Sequence, residues 1–469
     1  MIRVFDQYVP TRTVLELLTD FILLTVSGVL AGITLTLFAG SQNPDLPGVQ
    51  LTLLPSAIFA GVMLLLYITF GAYQRDRVKS LRTLMLCVLI ASMVSVGPLF
   101  FIFAKLFFPH RYALRFLGVA YLMQFALLLM VRQALLGGRT QQLWSRSVLV
   151  MGVGPAALML ASDIADQAAG VYRVAGFYPS AHEPEPPDRF PAVVFPRDAK
   201  LDELVRRYGI DEIVVAVREL RGGALPIRQL LECRTLGIPV HSLATFSERL
   251  KGEVPLDSLK ASWMIYGNGF SQGVVRTAIK RVFDVAVAVI LLGLLWPIML
   301  LAALAIWLEN GAPVMFRQER VGHFGRAFVV LKFRSMRKDA ENDGVARWAQ
   351  KNDDRVTRVG RFIRKTRIDE LPQLINVLRG EMSLVGPRPE RPAFVEQLTE
   401  EIPYYAIRHS VKPGVTGWAQ VRFSYGASLA EARRKLQFDL YYVKNHSLLL
   451  DVQIILETVR VVVFGEGAR

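Results

Sequence analysis

Residues 282–308 read Val282-Phe-Asp284-Val-Ala-Val-Ala-Val-Ile-Leu-Leu-Gly-Leu-Leu-Trp296-Pro297-Ile-Met-Leu-Leu-Ala-Ala-Leu-Ala-Ile-Trp-Leu308, an apolar run of 27 residues. As one straight helix the run is about 40 Å long, more than the roughly 30 Å of a bilayer's hydrocarbon core. Both flanks are basic, with Lys280 and Arg281 before it and Arg317, Arg320 and Arg326 after it. A full crossing would leave one basic flank outside, against the positive-inside rule. Proline removes a helix hydrogen bond, and two halves of about 13–15 residues each reach roughly 20 Å. The pattern therefore predicts a re-entrant helix–break–helix over 282–308 with the break at Pro297. An ordinary kinked span is the alternative.

Four more apolar stretches precede it, at Val14–Ala39, Leu51–Tyr73, Leu84–Ala104 and Ala113–Leu136. Each is long enough for a membrane helix, so residues 1–140 are predicted to be a four-helix transmembrane region. The first connection, 40–50, has no Lys or Arg. The second has Arg75, Arg77, Lys79 and Arg82, and the exit has Arg132, Arg139 and Arg146. That asymmetry puts the N-terminus and everything after the fourth span on the cytoplasmic side. Lys105, Arg111 and Arg115 in the third connection run against it. The long apolar stretch near the N-terminus lacks a small-residue cleavage site, so no removable signal peptide is expected.

Residues 146–250 change character. Strand candidates at Ser147–Met151, Arg173–Phe177, Ala192–Phe195, Glu212–Val217 and Pro239–Leu243 alternate with helical patterns reaching about Ala168 and at Asp198–Tyr208 and Leu225–Leu236. Such alternation predicts a parallel, Rossmann-like α/β sheet. The turn Gly152-Val-Gly154-Pro-Ala-Ala157 is either a loose nucleotide-phosphate cradle or a structural strand–helix turn. Pro155 removes one amide, and no convincing acidic residue follows the second strand. Residues 182–191 read as a loop, and 251–275, with Gly267, Gly269 and Gly273, as a linker. Cys87 and Cys233, the two cysteines, form no motif and suit small buried positions in a reducing compartment.

Residues 276–469 hold the chemistry. The chain is 52% hydrophobic with a formal charge of +15, and residues 274–469 carry 30 Lys and Arg against 20 Asp and Glu. That excess suits anionic substrates or lipid headgroups. Pro313–Val321 and Ala327–Met336 read as strands, the second ending in Lys332-Phe-Arg334. In Arg367-Ile-Asp369-Glu370-Leu-Pro372-Gln373-Leu-Ile-Asn376-Val-Leu378 the leucines and isoleucine follow helical spacing. Pro372 belongs near a helix start, so Asp369 and Glu370 fall at or just before it. There an ionised Asp can attack phosphorus and a Glu can hold Mg²⁺; both also make ordinary caps. Arg355, Arg358, Arg361, Arg364, Lys365 and Arg367 precede the pair as a basic face, which anionic headgroups would also suit. Downstream, Pro387-Arg388-Pro389 stiffens a loop around a guanidinium fork fit for phosphate; alone it could be a surface turn.

The series Phe316-Arg-Gln-Glu-Arg320-Val-Gly322, Lys332-Phe-Arg334, Asp369-Glu-Leu-Pro-Gln373, Val385-Gly-Pro-Arg-Pro389 and Pro413-Gly-Val-Thr-Gly-Trp418-Ala-Gln420 resembles the bacterial sugar transferase family, the monotopic polyprenyl-phosphate glycosyl-1-phosphate transferases. The architecture resembles the long-form members of exopolysaccharide pathways. The resemblance implies an α+β domain that transfers a sugar-1-phosphate from a UDP-sugar to undecaprenyl phosphate with Mg²⁺, releasing UMP. Asp369 would be the nucleophile and Glu370 a Mg²⁺ ligand. Lys332, Arg334, Arg367 and the Pro387, Arg388, Pro389 loop would bind substrate. Lys280, Arg281 and Asp284 would open the re-entrant helix, and Leu448–Phe464 would be an interfacial amphipathic helix. Many relatives carry Ser before the break where this chain has Trp296. The implied setting is a bacterial inner membrane with the site on the cytoplasmic face, a possible homodimer, and downstream glycosyltransferases as partners. A membrane-attached NAD-dependent dehydratase or epimerase is the rival enzyme class, but no Tyr-x-x-x-Lys pair occurs. A non-catalytic scaffold is the other rival. No nucleic-acid motif is present.

Overall fold

The computed structural model describes residues 2–4, 7–9, 11–39, 52–70, 72–73, 81–136, 145–167, 171–181, 183, 192–217, 225–256, 273–337, 354–423 and 428–464. The connections at 40–50 and 74–80, most of the 182–191 loop and residues 257–272 lie outside them. The chain divides into one compact unit reaching Leu250 and another from Lys251 to Arg469.

In the first unit, α1 (Thr11–Ala39), α2 (Leu53–Thr69), α3 (Leu81–Leu106) and α4 (His110–Leu136) follow in order. Leu24, Phe59, Met63, Tyr67, Phe103 and Phe116 interlock inside them, while Leu37, Met93, Leu122 and Met130 face outward. Apolar residues on both faces are what lipid surroundings require. Three of the four, at Val14–Leu37, Leu84–Leu106 and His110–Val131, are long and apolar enough to cross a membrane. The second stretch is shorter than its 23 apolar residues suggest. Its helix holds 17 residues, about 25 Å.

The next elements are β1 (Arg146–Met151), α5 (Pro155–Gln167), β2 (Tyr172–Tyr178), α6 (Leu201–Tyr208), β3 (Glu212–Val215), α7 (Ile227–Thr235), β4 (Val240–Ser242) and α8 (Leu243–Lys251). The sheet is parallel, in the order β2-β1-β3-β4. Helices on both faces explain why β1 reads Val148-Leu-Val-Met151 without alternation: all four side chains are buried. The expected strand at Ala192–Phe195 contracts to a bridge between Phe177 and Val194, because Pro196 supplies no amide to continue it. Helix α8 starts inside the expected Pro239–Leu243 strand. Its signal was Leu243, Phe246 and Leu250 at helical spacing. Cys233 is buried and Cys87 only half-buried; neither forms a disulfide.

The second unit opens with residues read from sequence as the start of a linker. They are docked instead. Trp418 Nε1 donates to the Gly252 carbonyl at 2.6 Å, Val254 N donates to Gln437 O at 3.0 Å, and Glu253 pairs with Arg434 at 2.7 Å. Val254 itself is buried with Leu398, Ile402 and Leu436.

Helix α9 runs from Val274 to Asn310 with Pro297 inside it. The helix is therefore longer than 282–308 at both ends and is not interrupted at the proline. It too is long and apolar enough to cross a membrane. Its two ends pack on the second unit. Ala288 joins Val330, Leu374, Val377 and Ile454, and Ala302 with Ile306 joins Phe333 and Ile363. The middle is bare, with Leu294, Trp296 and Leu301 all exposed. Lys280 pairs with Asp284 (2.7 Å) and Asp451 (3.0 Å), and Arg281 Nη2 donates to Leu378 O at 2.7 Å.

The rest comprises the antiparallel pair β5 (Met315–Val321) and β6 (Ala327–Phe333), then α10 (Arg358–Lys365), α11 (Gln373–Arg379), β7 (Ser383–Val385), α12 (Pro392–Glu401), β8 (Gly414–Thr416), α13 (Trp418–Arg422), α14 (Leu429–Asn445) and α15 (Leu448–Phe464). The expected strand end at Met336 survives only as a bridge to Val356. Helix α15 buries Leu450 and Ile454 in the main core, and Tyr442 Oη ties α14 to it by donating to Asp451 Oδ1 at 2.7 Å.

Candidate active site

Three local decisions build the site. Helix α10 ends at Lys365 with Thr366 as its C-cap, and Arg367 takes the left-handed backbone region at φ 59°, which non-glycine residues rarely adopt. That reversal starts a short 3₁₀ turn, Ile368–Glu370, which leads through Pro372 into α11. Asn376 locks α11 under β6, accepting from Leu331 N at 3.0 Å and donating to Val329 O at 2.8 Å. Finally β7 and β8 lie parallel and so close that a Cβ at Gly386 would run into Lys412 O, and one at Gly414 into Gly386 N. Only glycine fits there, and Pro387-Arg388-Pro389 leaves directly from this contact.

The turn and loop converge on Glu370. Its Oε1 accepts from Arg388 Nη2 at 2.7 Å, with Arg367 Nη1 at 3.5 Å and Lys332 Nζ at 3.7 Å. Asp369 and Glu370 are 8% and 7% exposed, and Asp369 Oδ1 is buried without a hydrogen-bond partner among the described residues. Neither carboxylate is the helix cap that the sequence left open: α11 begins at Gln373, with Pro372 at the N-cap position and no side-chain cap.

Burial and the adjacent Glu370 push Asp369 up to about 6, against the pull of Lys332, Arg367 and Arg388. Burial alone would raise Glu370 too, but Arg388, Lys332 and Arg367 outweigh it and hold that carboxyl well below its usual range. Lys332 is lowered to about 8 by burial, partly offset by Glu370. The two adjacent acids are thus pushed apart, a pattern that assigns different roles to paired carboxylates. Near neutral pH both are ionised under three cations, and the surplus positive charge suits a phosphate group.

The sequence-predicted residues divide. Asp369, Glu370, Lys332, Arg367 and Arg388 come together. Pro387 and Pro389 flank Arg388 as expected. Arg334 does something else: its Nη2 donates to the carbonyls of Asn310 (3.2 Å) and Gly311 (2.6 Å), capping α9, while its Nε and Nη1 are buried without partners. The Arg358–Lys365 face is helical, with Arg358, Arg361 and Lys365 exposed and Ile363 buried against α9. Sequence reasoning missed Gln373, whose buried Nε2 lacks a partner, although its place four residues after Asp369 puts it on the same helical side. It also missed Arg408 and Asp439, a buried pair 2.7 Å apart; they are 31 positions apart in the chain, so no spacing signal exists.

Among the described residues no group of three or more His, Cys, Asp or Glu is placed to hold a metal. The donor set is Asp369 with its orphaned Oδ1 and Glu370, whose Oε1 is already under three cations. Two carboxylates fit an ion such as Mg²⁺ that takes most of its ligands from water and substrate phosphate.

Comparisons agree with this arrangement. The model of the bacterial sugar transferase family matches residues 275–465, and that of a CoA-binding domain matches 69–219. The UDP-N-acetylgalactosamine-undecaprenyl-phosphate N-acetylgalactosaminephosphotransferase of Aeromonas hydrophila is 48% identical over 242 residues, covering 52% of this chain and 56% of that protein. The UDP-glucose:undecaprenyl-phosphate glucose-1-phosphate transferase of Escherichia coli K12 is 46% identical over 187 residues, 39% of this chain and 40% of that protein. The protein of the same name from Caulobacter vibrioides is 49% identical over 182 residues, 38% of this chain and 68% of that protein. The chain thus spans about half or less of the first two relatives. It belongs to the bacterial sugar transferase family, in the long form that sets apolar helices and a CoA-binding-like domain before the transferase domain.

Proposed function

We propose that the chain transfers a sugar-1-phosphate from a UDP-sugar to undecaprenyl phosphate through a covalent intermediate on Asp369. A carboxylate oxygen of Asp369 attacks the sugar-bearing phosphorus, the bond to the bridging oxygen breaks, and UMP leaves with the electron pair. An oxygen of the lipid phosphate then attacks the same phosphorus and frees Asp369. The observation that carries this reading is the buried, unpartnered Oδ1 of Asp369 beside a neighbour held ionised by Arg388. Lys332, Arg367 and Arg388 balance the charge of the diphosphate. Bound Mg²⁺, held by Glu370 and the free oxygen of Asp369, would supply Lewis-acid charge neutralisation.

Helix α9 enters the membrane and returns by a kink at Pro297 that leaves the helix continuous. What supports this is that Ala288 and Ile306, on either side of Pro297, pack on the same unit while Leu294, Trp296 and Leu301 between them are bare. The site then stays on the cytoplasmic face of the inner membrane, a reading supported by the basic residues of the second connection and of the exit after the fourth span. A homodimer and downstream glycosyltransferases belong to the same reading. A tag after residue 469 should be cleaved by protease only in inside-out vesicles; cleavage from the outer side would overturn the re-entrant helix. For the reaction, purified protein given UDP-sugar, Mg²⁺ and undecaprenyl phosphate should release UMP, and donor alone should leave a phosphosugar on Asp369 detectable by mass spectrometry. A label on another residue, or turnover with no adduct, would overturn it.

A further inference from the structure

The loop that carries Arg388 is held in an unusual way. Pro387 and Pro389 have no amide hydrogen, so the loop can be fixed chiefly through its carbonyls. All four in a row are taken. Pro387 O accepts from Gly414 N at 3.0 Å and Glu390 O from Val321 N at 2.9 Å. Between them, side chains do the work: Arg388 O accepts from Arg408 Nη2 at 2.9 Å and Pro389 O from Arg320 Nη1 at 3.3 Å.

Arg408 is itself oriented with care. Its Nε and Nη2 donate to Asp439 Oδ2 at 3.0 and 2.7 Å, and its Nη1 donates to Tyr405 Oη at 3.2 Å. Both members of the Arg408–Asp439 pair are almost wholly buried. A buried pair of this kind often contributes no more stability than apolar residues of the same volume would, so its presence here asks for another reason. We infer that Arg408, oriented by Asp439, is a positioning residue: it grips the backbone of Arg388 so that the Arg388 guanidinium rests on Glu370. Arg408 touches no carboxylate of the Asp369–Glu370 pair and acts only through Arg388. This rests on the reading of Asp369 and Glu370 as the reacting pair.

The test is a double-mutant cycle with two readouts. Arg408→Gln should lower kcat/KM for UMP release about 10–100-fold, the scale of a displacement of about 1 Å. Combined with Arg388→Gln it should cost little more than Arg388→Gln alone. The second readout needs no turnover: phenylglyoxal modification of the Arg388 guanidinium, followed by mass spectrometry. That side chain is held on Glu370 and is only 15% exposed, so freeing its backbone in Arg408→Gln should speed its modification several-fold. Asp439→Asn, which frees the fork while keeping its volume, should do the same more weakly and serves if Arg408→Gln fails to fold. Multiplying losses in the double variant, or an Arg388 labelling rate unmoved in Arg408→Gln and Asp439→Asn, would reduce the pair to a structural role. Absence of UMP release from the unaltered protein would instead sink the proposed reaction, and labelling would still decide the positioning claim.

Discussion

Of the helix starts that meet carboxylates, two treat them oppositely. At the glycine turn before α5, Glu183 fills the place where a phosphate would sit: its Oε2 accepts from Val153 N at 3.0 Å and Ser180 N at 3.1 Å, and its Oε1 from Gly154 N at 3.2 Å. Before α11, Asp369 and Glu370 lie beneath three cations, and Asp369 keeps a buried oxygen with no partner. The first arrangement is internally satisfied and has little left to offer a ligand. The second is strained, desolvated and incomplete, the condition expected where stability is exchanged for chemistry. A shared local pattern therefore says less about function than whether its polar atoms are already spoken for.

The sharpest break of this contrast would be the paired variants Asp369→Asn and Glu183→Gln, assayed for UMP release. The first should lose at least about 10³-fold; the second should stay within about twofold. Equal losses would end the distinction. Next in size, Arg388→Gln should lower kcat/KM by about 10²-fold and move the acid limb of the pH–rate profile upward, since Arg388 favours the ionised form of both acids. In the unaltered protein that limb should fall near pH 6, where Asp369 takes up its proton; a rate flat down to pH 4 would contradict the assignment.

Stability should separate the two turns by sign. Glu183→Ala should destabilise the first unit by about 1–3 kcal/mol, because the Val153 and Gly154 amides lose their acceptor. Asp369→Asn should leave stability unchanged or raise it by about 1–3 kcal/mol. The Asp369 carboxyl has a raised folded-state value, so its contribution is favourable below the ordinary value near 3.8 and is lost as pH rises through about 6. The gain in Asp369→Asn, read from thermal unfolding in detergent, should therefore be largest at pH 7–8 and vanish below about pH 4. A gain independent of pH would trace it to another cause.

Much of this could be read in the chain before any coordinates. Apolar run lengths located α1, α3, α4 and α9, because membrane helices must satisfy their own backbone. Short runs and glycine turns located the parallel sheet. The Asp369–Glu370 pair and Arg388 were visible because each lies in a stiff, proline-marked motif. What stayed hidden was relational. That Arg334 turns away to cap α9, that Arg408 reaches the Arg388 backbone, and that Glu183 returns to the glycine turn are contacts across 20 or more residues, which periodicity cannot carry. Pro297 is a different case: the helix runs through it without a gap, so a change of direction there would be a proline kink rather than a loop between two helices.

The docked segment Gly252–Val254 has a practical consequence for dissecting the molecule. A fragment begun at residue 273, as the position of α9 alone would suggest, would leave the indole N–H of Trp418 facing no carbonyl and Arg434 without Glu253, and would open the groove that Val254 fills. An excised transferase should therefore start no later than Lys251, and the first few residues after the α/β domain should be regarded as the outermost shell of its neighbour in sequence.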